Sequence, residues 1–216
     1  MDMEITPLID YALLKADVSW SQISKAAEET KDEGYAALCV PPYHVQKLRK
    51  VMPENGPAVC TVIGFPFGYS KTSAKVEEIK KAIDEGADEL DAVINISAVK
   101  DKEWAYVENE IDAMTRASHM RAKKIKIILE TALLNSREIQ KLCEIINRQE
   151  CDFAKTSTGF STAGADPTII RLMRRFLNES IQIKASGGIK TREQAVELME
   201  AGATRIGASN PKLLIA

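Results

Sequence analysis

The chain has 216 residues, 45% of them hydrophobic and 28% charged, with 29 Lys and Arg against 31 Asp and Glu. This is the balance of an ordinary globular domain, and a chain of this length buries roughly 70% of its unfolded surface without help from disulfides or metal. A formal charge of -2 disfavours nucleic acid as the main partner. The basic clusters at 121–126 and 171–175 are read as solvated faces of helices or strand entries.

Short apolar runs rich in β-branched residues alternate with longer amphipathic segments, the pattern of parallel strands joined by crossover helices. In chain order the expected strands cover 8–14, 35–40, 58–63, 89–95, 124–130, 152–157, 181–186 and 204–209. Eight units in this length leave about 27 residues each, enough for a strand, a helix and two tight loops. A closed α/β barrel is expected, a single (β/α)8 TIM-barrel domain over 1–216. A doubly wound open sheet is the main competitor, but the first turns, 14–17 and 41–44, lack the glycines such a sheet carries there.

Helix signals support this. Ser19 precedes a helix at 21–33 with apolar Ile23, Ala26 and Ala27, and Gly34 ends it. A second helix, 75–85, stops at Gly86, a third, 136–147, opens on an N-cap residue, and a fourth, 191–200, is capped by Thr191. No linker or low-complexity stretch divides the chain. The first residues carry acid groups and no basic lead-in, and no apolar run approaches the ~18 residues of a membrane span, so a cytoplasmic protein with no membrane partner is expected. Cys39, Cys60, Cys143 and Cys151 show no CxxC spacing, and buried free thiols are expected.

Charges in the middle of barrel strands are costly unless paired or placed at the functional mouth. Lys155 and Lys184 lie on consecutive expected strands and Asp91 on an earlier one, each near a strand end that runs into small residues, where barrels carry their active sites. An amine of pKa about 10.4 is almost wholly protonated at neutral pH, and a second ammonium or desolvation lowers that value. The pair reads as an activated amine nucleophile and its electrostatic perturber, with Asp91 as proton carrier. Spacing alone favours surface lysines at strand ends or members of a structural ion pair. Counting by twos, Lys126, Ile128 and Glu130 share a strand face, so Lys126 points inward beneath Glu130 toward a carboxylate, structural or catalytic.

Thr158-Gly159, Gly187-Gly188 and Gly207-Ala208-Ser209 follow consecutive strand ends, and small residues there let backbone amides approach an anion. Asn210-Pro211 matches an N-cap and first-turn pair for a short final helix. Together these loops favour a phosphorylated small molecule, although each alone fits a tight turn. His44 and His119 lie far apart, poor material for a metal site.

Five ordered motifs then acquire a family likeness: Thr61-Val62-Ile63-Gly64-Phe65-Pro66, Asp91-Ala92-Val93-Ile94-Asn95, Ile128-Leu129-Glu130-Thr131, Lys155-Thr156-Ser157-Thr158-Gly159-Phe160-Ser161-Thr162 and Lys184-Ala185-Ser186-Gly187-Gly188-Ile189. Over about 9–209 the chain resembles the deoxyribose-phosphate aldolases. That resemblance implies a (β/α)8 barrel and a class I aldolase, with no metal or other cofactor, that reversibly cleaves 2-deoxy-D-ribose 5-phosphate to acetaldehyde and glyceraldehyde 3-phosphate in deoxynucleoside salvage. It makes Lys155 the Schiff-base lysine, Lys184 the group that depresses its pKa, and Asp91 the proton shuttle.

The chain departs from the family pattern in places. Ile9-Asp10 is followed by Tyr11-Ala12 instead of His-Thr, which removes a hydroxyl but leaves Asp10 for a substrate hydroxyl. Phe160 stands where some members have lysine, and Ser209-Asn210 replaces Ser-Ser. The chain ends at Ala216, earlier than many members, and no tail-dependent step is assumed. Two other functions fit: a Schiff-base aldolase for another aldehyde pair, and a non-catalytic barrel binding phosphorylated metabolites. The second gains nothing from crowding two buried ammonium groups. Apolar side chains on outer helices fit a homodimer interface or intrachain packing alike.

Overall fold

The computed structural model describes residues 4–215. Eight parallel strands close into a barrel in sequence order: β1 (Ile9–Ala12), β2 (Ala37–Val40), β3 (Ala58–Ile63), β4 (Glu89–Val93), β5 (Lys124–Ile128), β6 (Phe153–Lys155), β7 (Gln182–Ser186) and β8 (Arg205–Ala208), with β8 pairing back onto β1. The helices are α1 (Trp20–Glu33), α2 (Val45–Arg49), α3 (Thr72–Asp84), α4 (Ile96–Lys100), α5 (Trp104–His119), α6 (Ser136–Arg148), α7 (Pro167–Phe176), α8 (Arg192–Glu200) and α9 (Lys212–Ile215). No helix among the described residues is long and apolar enough to cross a membrane.

Alternation along each strand separates two interiors. Leu38, Val40, Val59, Ile63, Leu90, Ala92, Ile125, Ile127, Ala154, Ile183 and Ile206 join helix residues such as Ile23, Ile79, Ile111, Ile139 and Leu142 in one large apolar cluster between barrel and helices. The alternate positions fill the bore. On β2 and β3 these are the apolar Ala37, Cys39, Cys60 and Val62, which form a second, smaller cluster. Each of the other strands places at least one charged side chain there: Asp10, Glu89 and Asp91, Lys126, Lys155, Lys184 and Arg205.

Caps set the helix ends. Ser19 and Gln22 form a capping box at α1, and Gly34 closes it in the left-handed conformation at φ 75°. At α6 the cap is Asn135 rather than Ser136, because Asn135 Oδ1 accepts from the Arg137 and Glu138 amides while Glu138 returns the bond to the Asn135 amide. Helix α3 starts at Thr72, three residues before the expected start. Lys75 is fully buried, its Nζ donating to Val93 O at 2.7 Å and Glu110 Oε1 at 2.8 Å. All four cysteines are free and buried.

Several strands are shorter than their apolar runs. Residues such as Asn95, Glu130 and Thr156 leave the ladder to form the barrel mouth.

Candidate functional site

The strand register sets the centre of the site. Lys155 and Lys184 are Cα partners across β6 and β7, and Asp91 and Lys126 are partners across β4 and β5. Both Lys155 Nζ and Lys184 Nζ donate to Asp91 Oδ2 at 2.7 Å, and Lys126 Nζ donates to Asp91 Oδ1 at 2.9 Å. Cys60 Sγ also approaches Oδ1, at 3.3 Å. One carboxylate thus joins three lysines in the bore.

The network extends beyond the residues expected from sequence. Lys126 also pairs with Glu89 at 2.5 Å and lies 3.7 Å from Asp10. Arg205 bridges Asp10 at 2.7 Å and Glu89 at 3.1 Å, and Lys184 reaches Asp10 Oδ2 at 2.5 Å. Beneath lies Phe153, whose ring faces Lys126 Nζ at 5.8 Å and the Arg205 guanidinium at 5.3 Å. Lys126 therefore points inward to carboxylates, as expected, and these are Asp91, Glu89 and Asp10. The expected solvated face at 121–126 does not extend to it. Glu89 and Arg205 carry the same signal, a charge within a strand, but both open their strands at the end away from the mouth.

Burial and charge act oppositely here. Burial pushes Asp91 and Asp10 up, but the ammonium groups around Asp91, and Lys184, Lys126 and Arg205 around Asp10, outweigh it and hold both well below the usual carboxylate range. Burial likewise pushes Lys184 down, and the Asp10 and Asp91 carboxylates more than reverse it, holding Lys184 above the usual lysine value. Lys184 is a fixed cation beside Lys155. Among the described residues the network holds three carboxylates, Asp10, Glu89 and Asp91, against four cationic side chains, Lys126, Lys155, Lys184 and Arg205.

Above this network a cavity of about 580 Å³ opens at the C-terminal strand ends. Lys155 and Lys184 reach it from below, and Thr158, Gly159, Gly187, Gly188, Gly207 and Ser209 line it, so the predicted loop residues come together. Gly207 leaves room by lacking a side chain: a Cβ there would sit 2.9 Å from Ser186 Cβ and 3.3 Å from Lys184 Cε. Ala12 and Phe160 are also in the wall, with Phe160 55% exposed and edge-on to Phe65 at a centroid separation of 5.3 Å. Lys15 and Lys190 stand at the rim, two exposed cations that sequence reasoning missed because loop lysines carry no distinguishing pattern.

Asp91, Lys126 and Glu130 lie outside this lining, as does Asp10. Asp10, expected against a substrate hydroxyl, is fully buried with its carboxylate taken by Lys184 and Arg205. Glu130 accepts from the Thr158 amide at 3.2 Å and from the Thr158 hydroxyl through a very short bond.

Among the described residues two groups bring three ligand atoms together, Cys39 with Cys60 and Asp91, and Asp10 with Cys60 and Glu89. Neither suits a resident metal ion, because the carboxylates are engaged by lysine and arginine and a divalent cation would add to an existing positive excess. A second hollow of about 340 Å³, between the ends of α5 and α6, is lined by Arg116 and Arg148, already paired with Asp112 and Glu108.

The chain is similar to known proteins over nearly its whole length. A family model described as DeoC/LacD family aldolase matches residues 8–210. The deoxyribose-phosphate aldolase of Thermococcus kodakarensis is 44% identical over 209 residues, 96% of this chain and 93% of that one, and the enzyme of the same name from Treponema denticola is 42% identical over 208 residues, 96% of each. Among solved structures, an aldolase named QR15 superposes with a TM-score of 0.91 at 40% identity, covering 96% of this chain and 92% of that one. The tetrameric deoxyribose phosphate aldolase from Aeropyrum pernix gives 0.91 at 28% identity, covering 98% and 89%. With a matching model over nearly its whole length and relatives above 40% identity, the chain belongs to the DeoC/LacD aldolase family.

Proposed function

We propose that the protein is a class I aldolase that reversibly cleaves 2-deoxy-D-ribose 5-phosphate to acetaldehyde and D-glyceraldehyde 3-phosphate, with Lys155 as the amine that forms the Schiff base. The observation that carries this reading is the convergence of Lys155 and Lys184 on Asp91 Oδ2 at the cavity floor. Neutralising one amine balances the buried network. Lys155 is the amine whose loss of charge breaks the fewest ion pairs: Asp91 is its one carboxylate among the described residues, whereas Lys126 has three and Lys184 two.

The chemistry follows from an amine placed under an open cavity. Lys155 Nζ attacks the C1 aldehyde of the open-chain sugar, and the carbinolamine loses water to give an iminium. Removal of the C3 hydroxyl proton then sends the C2–C3 bonding pair into the C1 iminium. Glyceraldehyde 3-phosphate departs, and the enamine of acetaldehyde stays on Lys155. Protonation at C2 and hydrolysis release acetaldehyde and restore the amine. The iminium is itself the electron sink, so this route requires no metal. Asp91, bonded to both lysines, carries protons for carbinolamine breakdown, and Lys184 supplies a fixed positive charge beside the reacting nitrogen. Gly187, Gly188, Gly207 and Ser209 offer backbone amides and small side chains to the phosphate, with Lys15 and Lys190 adding charge at the rim.

Borohydride reduction in the presence of deoxyribose 5-phosphate, followed by peptide mass spectrometry, tests the assignment. A reduced adduct on Lys155, lost in Lys155→Ala, supports it. A folded protein with neither adduct nor cleavage overturns it in favour of a phosphate-binding barrel.

A further inference from the structure

One buried carboxylate near the site stands apart from the ion network. Glu130 lies two residues past the end of β5 and is 3% exposed, yet among the described residues its side chain makes no ion pair. Its Oε2 meets only the amide and hydroxyl of Thr158, and Oε1 has no hydrogen-bond partner among the described residues. A carboxylate buried with so few partners costs stability, so its position calls for a reason beyond packing.

The backbone around it is equally specific. Glu130 adopts φ 54° and ψ 60°, a left-handed conformation unusual for a residue with a side chain. On either side, the Leu129 amide donates to Lys155 O and the Thr131 amide to Thr156 O, each at 2.9 Å. A regular parallel ladder would carry amides two residues apart to carbonyls two residues apart. Here they reach adjacent carbonyls, so Glu130 is the extra residue of a bulge placed directly beside Lys155. The left-handed turn aims its carboxylate across the gap at Thr158.

Thr158 passes the constraint onward. Its Oγ1, held by Glu130, accepts from the Phe160 amide at 3.1 Å. On the opposite side, Ser186 Oγ donates to Ser157 O at 2.7 Å and Thr156 Oγ1 donates to Ser186 O at 3.2 Å. The segment leaving Lys155 is therefore gripped by β7 on one side and by Glu130 on the other, and Thr158, Gly159 and Phe160 are the part that lines the cavity.

We propose that Glu130 is a positioning residue for the aldolase reaction: its bulge and carboxylate fix the Thr158–Phe160 rim against which the three-carbon end of the sugar is held, while Lys155 itself is positioned independently by β6. This rests on the aldolase reading above. Glu130 touches no substrate in this scheme and acts through Thr158.

A double-mutant cycle tests the proposal. Glu130→Gly removes the carboxylate but tolerates the left-handed backbone, and Thr158→Val removes the hydroxyl at nearly constant volume. Each is expected to lower kcat/KM for deoxyribose 5-phosphate by about 10- to 100-fold, the range expected for misplacement near the reacting atoms. The double variant should be no worse than the poorer single. Borohydride trapping of Lys155 with acetaldehyde alone, which needs no rim, should stay within about twofold of the parent. Glu130→Gln, which keeps an acceptor oxygen for Thr158, should recover part of the loss and covers the case in which Glu130→Gly does not fold. Multiplicative losses in the double variant, unchanged kcat/KM in Glu130→Gln and Thr158→Val alike, or an equal loss of acetaldehyde trapping would each overturn the positioning role. An unsubstituted protein that traps no aldehyde on Lys155 would remove the aldolase reading and this inference with it, whereas trapping in the parent with unaffected variants would remove this inference alone.

Discussion

Lys155 and Lys184, neighbours across β6 and β7, place their ammonium nitrogens on a single oxygen of Asp91, each at 2.7 Å. Two like charges share one acceptor because Asp10 holds Lys184 from the far side at 2.5 Å, so Lys184 is anchored twice and Lys155 once. This asymmetry distinguishes two lysines that the sequence presents in similar strand-end settings.

Removing the doubly anchored lysine should therefore disable the singly anchored one. In Lys184→Met, Asp91 Oδ2 is left to Lys155 alone, strengthening the ion pair that must break before the amine attacks, and the positive charge beside the iminium site disappears. The expected outcome is a fall in kcat/KM of about 100- to 1,000-fold, the usual loss for one preorganised electrostatic group. Steady-state cleavage and the rate of borohydride trapping on Lys155 check it. Activity within tenfold of the parent would show that Lys184 only fills space.

The same network sets a pH window for stability. Asp10 and Asp91 hold their protons less tightly folded than unfolded, so their contribution is present above the unfolded aspartate value of about 3.9 and is lost as pH falls through the lower folded values. Lys184 and Lys126 are raised, so theirs is present below about 10.4 and lost only as pH climbs through the higher folded values. Thermal unfolding should show a plateau between these limbs, with Tm dropping below about pH 4. Asp10→Asn removes one titrating group, and its acid limb should be shallower by up to about one proton, or about 1.4 kcal/mol per pH unit. An unchanged acid limb would exclude Asp10 from the linkage.

How far the sequence reveals this site depends on what each feature leaves in residue types. The strands are legible because the helix-facing positions are nearly all aliphatic, and Asp91, Lys155 and Lys184 stand out as charges at the alternate positions. Glu89 and Arg205 do so at the opposite ends, where a charge reads as a strand entry, and only closure of the barrel brings them together. The bulge at Glu130 has no compositional mark, since a left-handed residue that is not glycine is set by its surroundings. Asp10 enters from sequence only through the family resemblance, as a partner for a substrate hydroxyl, and not as a buried ion-pair partner, because Lys184 and Arg205 lie more than 170 positions away along the chain.

Phe160 offers a test of substrate choice at the rim. Its ring is half exposed in the cavity wall. Phe160→Lys should lower KM for deoxyribose 5-phosphate by about three- to tenfold at low salt, leave kcat nearly unchanged, and have little effect on free deoxyribose. The gain should fade at high ionic strength. Equal changes for both sugars would place the phosphate elsewhere.

The buried pair of Lys75 and Glu110 links a helix to the strand end above Asp91. Lys75 Nζ on α3 holds Val93 O, the last carbonyl of β4, and Glu110 Oε1 on α5, while Glu110 Oε2 accepts from the Asn95 amide at 2.7 Å. Both side chains are fully buried, and burial pushes the Glu110 carboxyl up despite Lys75. Lys75→Met leaves a buried carboxylate without its cation and a carbonyl without its donor, and should cost about 3–5 kcal/mol, read as a lower urea midpoint. Lys75→Met with Glu110→Gln removes the unpaired charge but keeps an acceptor for Asn95, so part of the loss should return. Because Val93 and Asn95 bound the loop after Asp91, the single variant should also lose activity in step with its stability. A single variant as stable as the parent would mean that water reaches Glu110 and that the pair does not fasten this end of β4.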